Sequence, residues 1–181
     1  MDNRRDRGRS RLWAGWGGLM VLLAALASSP CWAADKAKAK GGGGAADAKQ
    51  IREVIQQYQK GWLTLDLNLL QGLWDKDYPK IIYVATELKE PIKGWEGVKK
   101  YYQDGVQYFA EVKEFTLKDL TVDNFGNTGF AFAPYHFEAV TKGESPKTIK
   151  GDGQVSFILR KVGGKWRLTH YHESAPHADQ P

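Results

Sequence analysis

Cysteine is almost missing from this chain. Of its 181 residues one is cysteine, Cys31, and two are methionine. A single thiol excludes an internal disulfide and every paired-cysteine metal or redox motif. Histidine is nearly as scarce, with four residues at positions 136, 170, 172 and 177. No apolar run reaches the roughly 20 residues that a membrane-spanning helix needs. The nearest, residues 12–27, is 16 residues long and rich in Gly and Ala. No internal repeat is visible.

What is present begins with a targeting pattern. The first eleven residues carry five arginines, the apolar run follows, and SSPCWA then places the small residues Cys31 and Ala33 at the −3 and −1 positions of a cleavage site. Basic, apolar, small is the order of a secretory signal peptide, so residues 1–33 are expected to be removed after Ala33. The pair Arg4-Arg5 suggests twin-arginine export only weakly. The protein is then expected to be exported, periplasmic or secreted, with no stable membrane span after cleavage. Residues 1–33 hold five Arg and two Asp, so their removal lowers the net charge from +5 to +2. The basicity is therefore a targeting feature, and no nucleic-acid partner is expected. Cleavage also removes the only cysteine, leaving packing to supply the stability. Residues 34–46, with four consecutive glycines, predict a flexible tether. Residues 47–176 predict one domain with a single core, and 177–181 a disordered tail.

Within that domain Asp47 is a plausible helix N-cap. Ile51, Val54, Ile55, Tyr58 and Trp62 follow at helical spacing. Asp66 is a second candidate cap before Leu67, Leu70, Leu73 and Trp74. Residues 80–88 predict a strand, EPIKGWEG a turn, and residues 96–109 a third helix. Strands fill the remainder. Residues 113–122 alternate with a slip, which one extra residue near Lys118-Asp119 would explain as a β-bulge. Residues 129–140 show a similar slip around Pro134, with Phe130 and Phe132 before it and Tyr135 and Phe137 after it. Two more strands, GDGQVSFILRKV and KWRLTHYHE, close the chain. Helices followed by long antiparallel strands give an α+β fold. Three N-terminal helices would pack on a curved, mostly antiparallel sheet and leave a cone-shaped cavity.

The closing segment carries a family pattern. Gly164-Lys165-Trp166-Arg167-Leu168 is followed by His170-x-His172-x-Ser174-x-Pro176. Together with the element order, this resembles the NTF2-like superfamily, and within it the SnoaL-like group and the calmodulin-kinase association-type domains. Those domains commonly follow one histidine with arginine, where this chain has Glu173. The resemblance implies the NTF2-like cone and leaves the activity open, because the superfamily includes enzymes, transport factors and assembly domains. Tyr58, Asp66 and Trp74 also match the spacing of a tyrosine, an acid and an aromatic in ketosteroid isomerase. There the tyrosine belongs to an oxyanion hole and an aspartate moves a proton. This sequence has Tyr83 to Thr86 where that base should stand, and Val155 or Ser156 where the second acid should.

The candidate site follows. On a regular strand His170 and His172 share a face with Trp166 and Leu168, at the end of the pocket wall. Three readings are open for them: hydrogen-bonded wall residues, an acid/base group, or two metal ligands. A catalytic zinc site needs three protein ligands and His136 lies on another strand, so no metal and no cofactor are expected. Glu173 points to the opposite face on a regular strand, as a solvated rim residue; if the strand ends or bulges there, it can instead orient His172 and form a dyad. Tyr58, Trp62, Tyr83, Tyr102, Tyr135, His170 and His172 are the expected ligand-binding residues, with Tyr58, His170 and His172 as catalytic candidates. Trp74 and Phe137 belong to the same aromatic set. Arg160 and Arg167 can meet a ligand carboxylate or stay solvated. Two functions remain: a binding or assembly module, homodimeric through the outer sheet face, or a metal-free lyase or isomerase acting on a small metabolite.

Overall fold

The helical stripe read from Ile51 onward packs as its spacing demands. The computed structural model describes residues 44–175. In it α1 spans Gly44–Leu63 and buries Ile51, Ile55, Tyr58 and Trp62. The expected signal peptide, most of the expected tether and the tail expected at residues 177–181 lie outside the described residues. The helix takes in the last three residues assigned to the tether. Asp47 is therefore not its N-cap but stands in its first turn, where its carboxylate accepts from Lys161 Nζ at 2.5 Å and Trp166 Nε1 at 3.1 Å. Asp66 does cap α2, Leu67–Gly72, accepting from the Leu69 N–H at 2.9 Å. The two helices touch at Gly61, where a Cβ would lie 2.8 Å from the Leu70 side chain. No helix among the described residues is long and apolar enough to cross a membrane.

The strand expected over residues 80–88 is shorter, β1 at Ile82–Val84. The expected turn after it contains a two-residue strand, β2 at Ile92–Lys93. Helix α3 runs Trp95–Tyr108 and buries Val98 and Tyr102. Five strands follow: β3 Phe109–Leu117, β4 Thr121–Phe125, β5 Thr128–Thr141, β6 Thr148–Val162 and β7 Lys165–Ser174. The sheet order is β2-β1-β7-β6-β5-β3, and β4 also pairs with β5. All pairs are antiparallel except β1 with β7, where Tyr83 stands beside Tyr171.

One expected slip is present and the other is not. Leu117 pairs with Tyr135 and Thr121 with Phe132, so the β3–β4 edge carries one more residue than β5 across that gap. Asp119 takes up the extra length with φ 48°. Pro134 stands opposite, its carbonyl accepting the Lys118 N–H at 2.9 Å, in keeping with the confinement of strand proline to bulges and edges. Strand β5 itself is unbroken, pairing with β6 in one register from Thr128 to Val140. Its inward face is Ala131, Ala133, Tyr135 and Ala139. Phe130 and Phe132 occupy the outer face, so the slip expected around Pro134 is corrected. The small alanines are the core residues there because α1 lies close over the sheet.

The narrow end of the fold is aliphatic. Ile51, Ile55, Leu159 and Leu168 are fully buried, with Trp166 beside them. Each contributes roughly 1.5–3 kcal/mol by burial. Gly129 leaves room for this cluster, since a Cβ there would meet Ile51 at 2.6 Å and Trp166 at 3.2 Å.

Candidate functional site

The last strand changes face in its middle. Trp166 and Leu168 point into the core. Leu168 pairs with Leu159 and His170 with Ile158, so Thr169 is an extra residue on β7. Its hydroxyl donates to the Ile158 carbonyl at 3.2 Å. Such a bulge shifts every later side chain by one position. Tyr171 consequently faces inward, 1% exposed, and Glu173 follows it into the space between sheet and helices. His170 and His172 face outward. The expected grouping of the histidines with Trp166 and Leu168 is thus corrected, as is the placement of Glu173 on the outer rim.

Beyond the bulge the cone opens into a cavity of about 620 Å³. Trp62 enters from α1, Tyr101 and Tyr108 from α3, Phe109 and Phe115 from β3, Tyr135 and Phe137 from β5, Tyr83 from β1 and Tyr171 from β7. Two glycines make room for the rings. A Cβ at Gly105 would lie 2.8 Å from Trp62, and one at Gly153 would lie 2.6 Å from Tyr135. Tyr83 stacks on Tyr171 with centroids 4.4 Å apart and planes 12° apart, as their parallel pairing dictates. Tyr101 covers the other side of Tyr83 at 4.7 Å.

Each buried phenol needs a partner, and several find one. The Tyr58 and Tyr83 hydroxyls are 2.9 Å apart. Trp74 Nε1 donates to Tyr102 Oη at 2.9 Å. Tyr101 donates to Glu87 Oε1 at 2.5 Å, and Tyr171 donates to Glu173 Oε1. The second Glu173 oxygen accepts the Thr86 N–H at 3.3 Å. Burial pushes the phenols of Tyr58, Tyr83, Tyr101, Tyr102, Tyr135 and Tyr171 above the ordinary tyrosine range, so they stay protonated. Burial also raises the Glu173 carboxyl and the nearby Glu87 charge adds to this, while hydrogen bonds from Tyr171 and Thr86 oppose it. Burial, then the neighbouring His172, lowers His170.

The expected site residues therefore fall into three groups. Trp62, Tyr83 and Tyr135 line the cavity. Tyr58 and Tyr102 are fully buried behind it, with Tyr58 reaching the lining through Tyr83. His170 and His172 lie on the outer face. His136 sits 2.9 Å from Asp152. Of the ketosteroid-isomerase spacing, Asp66 is an exposed cap. Arg160 pairs with Asp75 at 3.1 Å and lies over Tyr78, and Arg167 donates to the Gly72 carbonyl. Neither arginine lines the cavity.

The cone, its curved sheet and its pocket agree with a family match. A family model described as a SnoaL-like domain covers residues 51–178. The chain belongs to the SnoaL-like family. Solved structures share its fold at low identity. One is an NTF2-like superfamily protein from Salmonella enterica, at 21% identity and TM-score 0.66, covering 75% of this chain and 95% of that one. A second, from Streptomyces avermitilis, is provisionally described as a dehydratase of the NTF2-like family, at 16% identity and TM-score 0.66, covering 74% and 99%. A third, from Xanthomonas campestris, is provisionally described as a calcium/calmodulin-dependent protein kinase II association domain, at 15% identity and TM-score 0.58, covering 71% and 87%. Identities this low establish the fold alone. Comparison with curated proteins returns no match.

This SnoaL-like pocket contains residues that the sequence reading passed over, Tyr101, Tyr171 and Glu87, and one that it placed on the rim, Glu173. Tyr101 adjoins Tyr102 and sits on the cavity side of α3. Tyr171 and Glu173 were hidden by the assumption of a regular strand. One signal was available, since strict alternation buries two histidines while exposing a tyrosine, and a single extra residue reverses both.

Proposed function

We propose that this SnoaL-like domain binds a small, partly aromatic organic molecule in its cone cavity and works as an exported homodimer. The observation that carries the binding reading is the cavity itself. It is walled by rings from both layers of the fold and has a raised-pKa carboxyl, Glu173, as a polar point. Ligand pockets combine an apolar lining with a few placed polar groups in this way. The order of basic, apolar and small residues at positions 1–33 supports export. Half-buried Phe130, Ile158 and His170, in one register row on the outer face, support a dimer.

Native mass spectrometry of the chain, purified without added metal or chelator, tests this. The expected species is a dimer beginning at Ala34, with an organic mass on each subunit. Gly151→Trp supplies the control. Gly151 lines the cavity and a Cβ there meets nothing within 4 Å. The indole should fill the space and abolish ligand retention without unfolding the domain. Retention unchanged in Gly151→Trp would move the ligand out of this cavity. A monomer would remove the dimer, which Ile158→Glu should otherwise split.

Glu173 also favours a second reading, a metal-free lyase or isomerase. A carboxyl whose pKa burial has raised holds its proton more tightly and can take it up and return it, and the protonated phenol of Tyr83 is a hydrogen-bond donor at the same wall. In this reading Glu173 takes the proton-moving role that the sequence suggested for the histidines. Turnover lost in Glu173→Gln but kept in His172→Ala supports it, and the reverse pattern ends it.

A further inference from the structure

Among the described residues, the two glutamates of the cavity wall have no counter-ion. Glu87 accepts from Tyr101, and Glu173 accepts from Tyr171 and the Thr86 N–H. Tyr83 lies between Tyr101 and Tyr171, at 4.7 and 4.4 Å. The two carboxylates thus accept from the two rings that flank Tyr83. Among the described residues, no Lys, Arg or His nitrogen comes within 4.0 Å of either one. The third acidic group of the lining, Asp104, is paired with Lys100 at 2.6 Å. The lining also contains one lysine, Lys150. Its strand position is five residues from Val155, the register partner of Glu173. At about 3.3 Å per residue that puts it roughly 16 Å along the strand.

We infer that the cavity selects an organic cation, with an ammonium head seated against Glu87 and Glu173 and an apolar or aromatic body among the rings. This names the ligand class of the binding reading above and rests on it. Glu173 is partly withdrawn from water and lacks a cation, so its anion is unfavourable until a positive charge joins it, and the exposed Glu87 adds a second negative charge nearby. The rings decide which cation. A hydrated inorganic ion gains little from an aromatic wall. An alkylated ammonium meets it through cation–π attraction and through burial of its carbon. Glu87 also raises the Glu173 carboxyl, which is the mark of two like charges sharing one wall.

The experiment compares three probes on the purified chain by ligand-observed NMR and calorimetry. They are benzyltrimethylammonium, its neutral carbon isostere neopentylbenzene, and the anion phenylacetate. The expected order of affinity is cation, then isostere, then anion. Glu173→Gln should weaken the cation about tenfold and leave the isostere unchanged. Glu87→Gln serves as a second variant if the first melts below the wild type. Equal binding of cation and isostere, or an unchanged cation in both glutamine variants, overturns the inference and leaves the binding reading standing. Binding of none of the three at millimolar concentration overturns both.

Discussion

The two halves of β7 share a backbone and differ in everything else. Before Thr169 the inward residues are Trp166 and Leu168, packed against Ile51, Leu159 and Asp47. After it they are Tyr171 and Glu173, set among phenols and facing an open cavity. The first half is held by close packing, where a missing atom leaves a void. The second half holds a carboxyl partly withdrawn from water, which no core requires. One extra residue separates an element that stabilises the fold from one that costs stability and offers chemistry. Local violations of the packing rules of this kind gather at functional sites.

The largest expected effect breaks the first half. Trp166→Ala removes a side chain that is 3% exposed, together with its hydrogen bond to Asp47. It should lower stability by about 3–5 kcal/mol, read as a fall in the urea midpoint. Lys161 still holds Asp47, so α1 should stay docked. A loss below about 1 kcal/mol would mean that the narrow end is not the core.

Glu173→Gln probes the second half and should act in the opposite direction. The folded protein raises the Glu173 pKa, so it holds that proton more tightly than the unfolded chain does. The stability contributed by this group is then fully present below the ordinary carboxylate pKa and is lost as pH rises through the raised value. The groups facing it include Tyr171, Tyr135, Tyr58, Tyr101 and Glu87. All of these tyrosines remain neutral through that window, and the Glu87 charge adds to the cost. At neutral pH the variant should melt at or above the wild type, with the gap closing as pH falls to about 4. A variant less stable at neutral pH and equal in acid would show Glu173 to be a stabilising anion.

These two regions were not equally legible in the sequence. The α1 stripe, the Asp66 cap and the slip near Asp119 follow from spacing and residue type, which are local quantities. The fold class and the cone followed from element order and the closing pattern. The face of Tyr171 and Glu173 did not. A bulge at Thr169 depends on how β7 lies against β6 and β1, and pairing across a sheet leaves no local periodicity. Phe130 and Phe132 misled for a related reason. Large apolar residues suggested an inward face, whereas the close approach of α1 reserves that face for Ala131 and Ala133. Trp62, Tyr83 and Tyr135 were found because they lie on regular stretches of their elements.

The smallest effect is the sharpest test of the comparison. Cys31 is the only native cysteine, so a Cys31→Ser background permits single-thiol labelling along β7. His172 is exposed, and His172→Cys should change stability by no more than about 0.5 kcal/mol. Its thiol should react with an aqueous maleimide at the rate of a free surface cysteine. Glu173→Cys, one residue on, should react about tenfold more slowly because the cavity wall shields it and holds its thiolate fraction down. Gly151→Trp should slow it further by filling the cavity while leaving position 172 unchanged. Carrying Ile158→Glu in every sample keeps a partner subunit off the outer face. On a regular strand the order reverses, with position 173 fast and position 172 slow. That reversal would return the histidines to the pocket and remove Glu173 from it, so one pair of rates decides which half-strand chemistry the cavity contains.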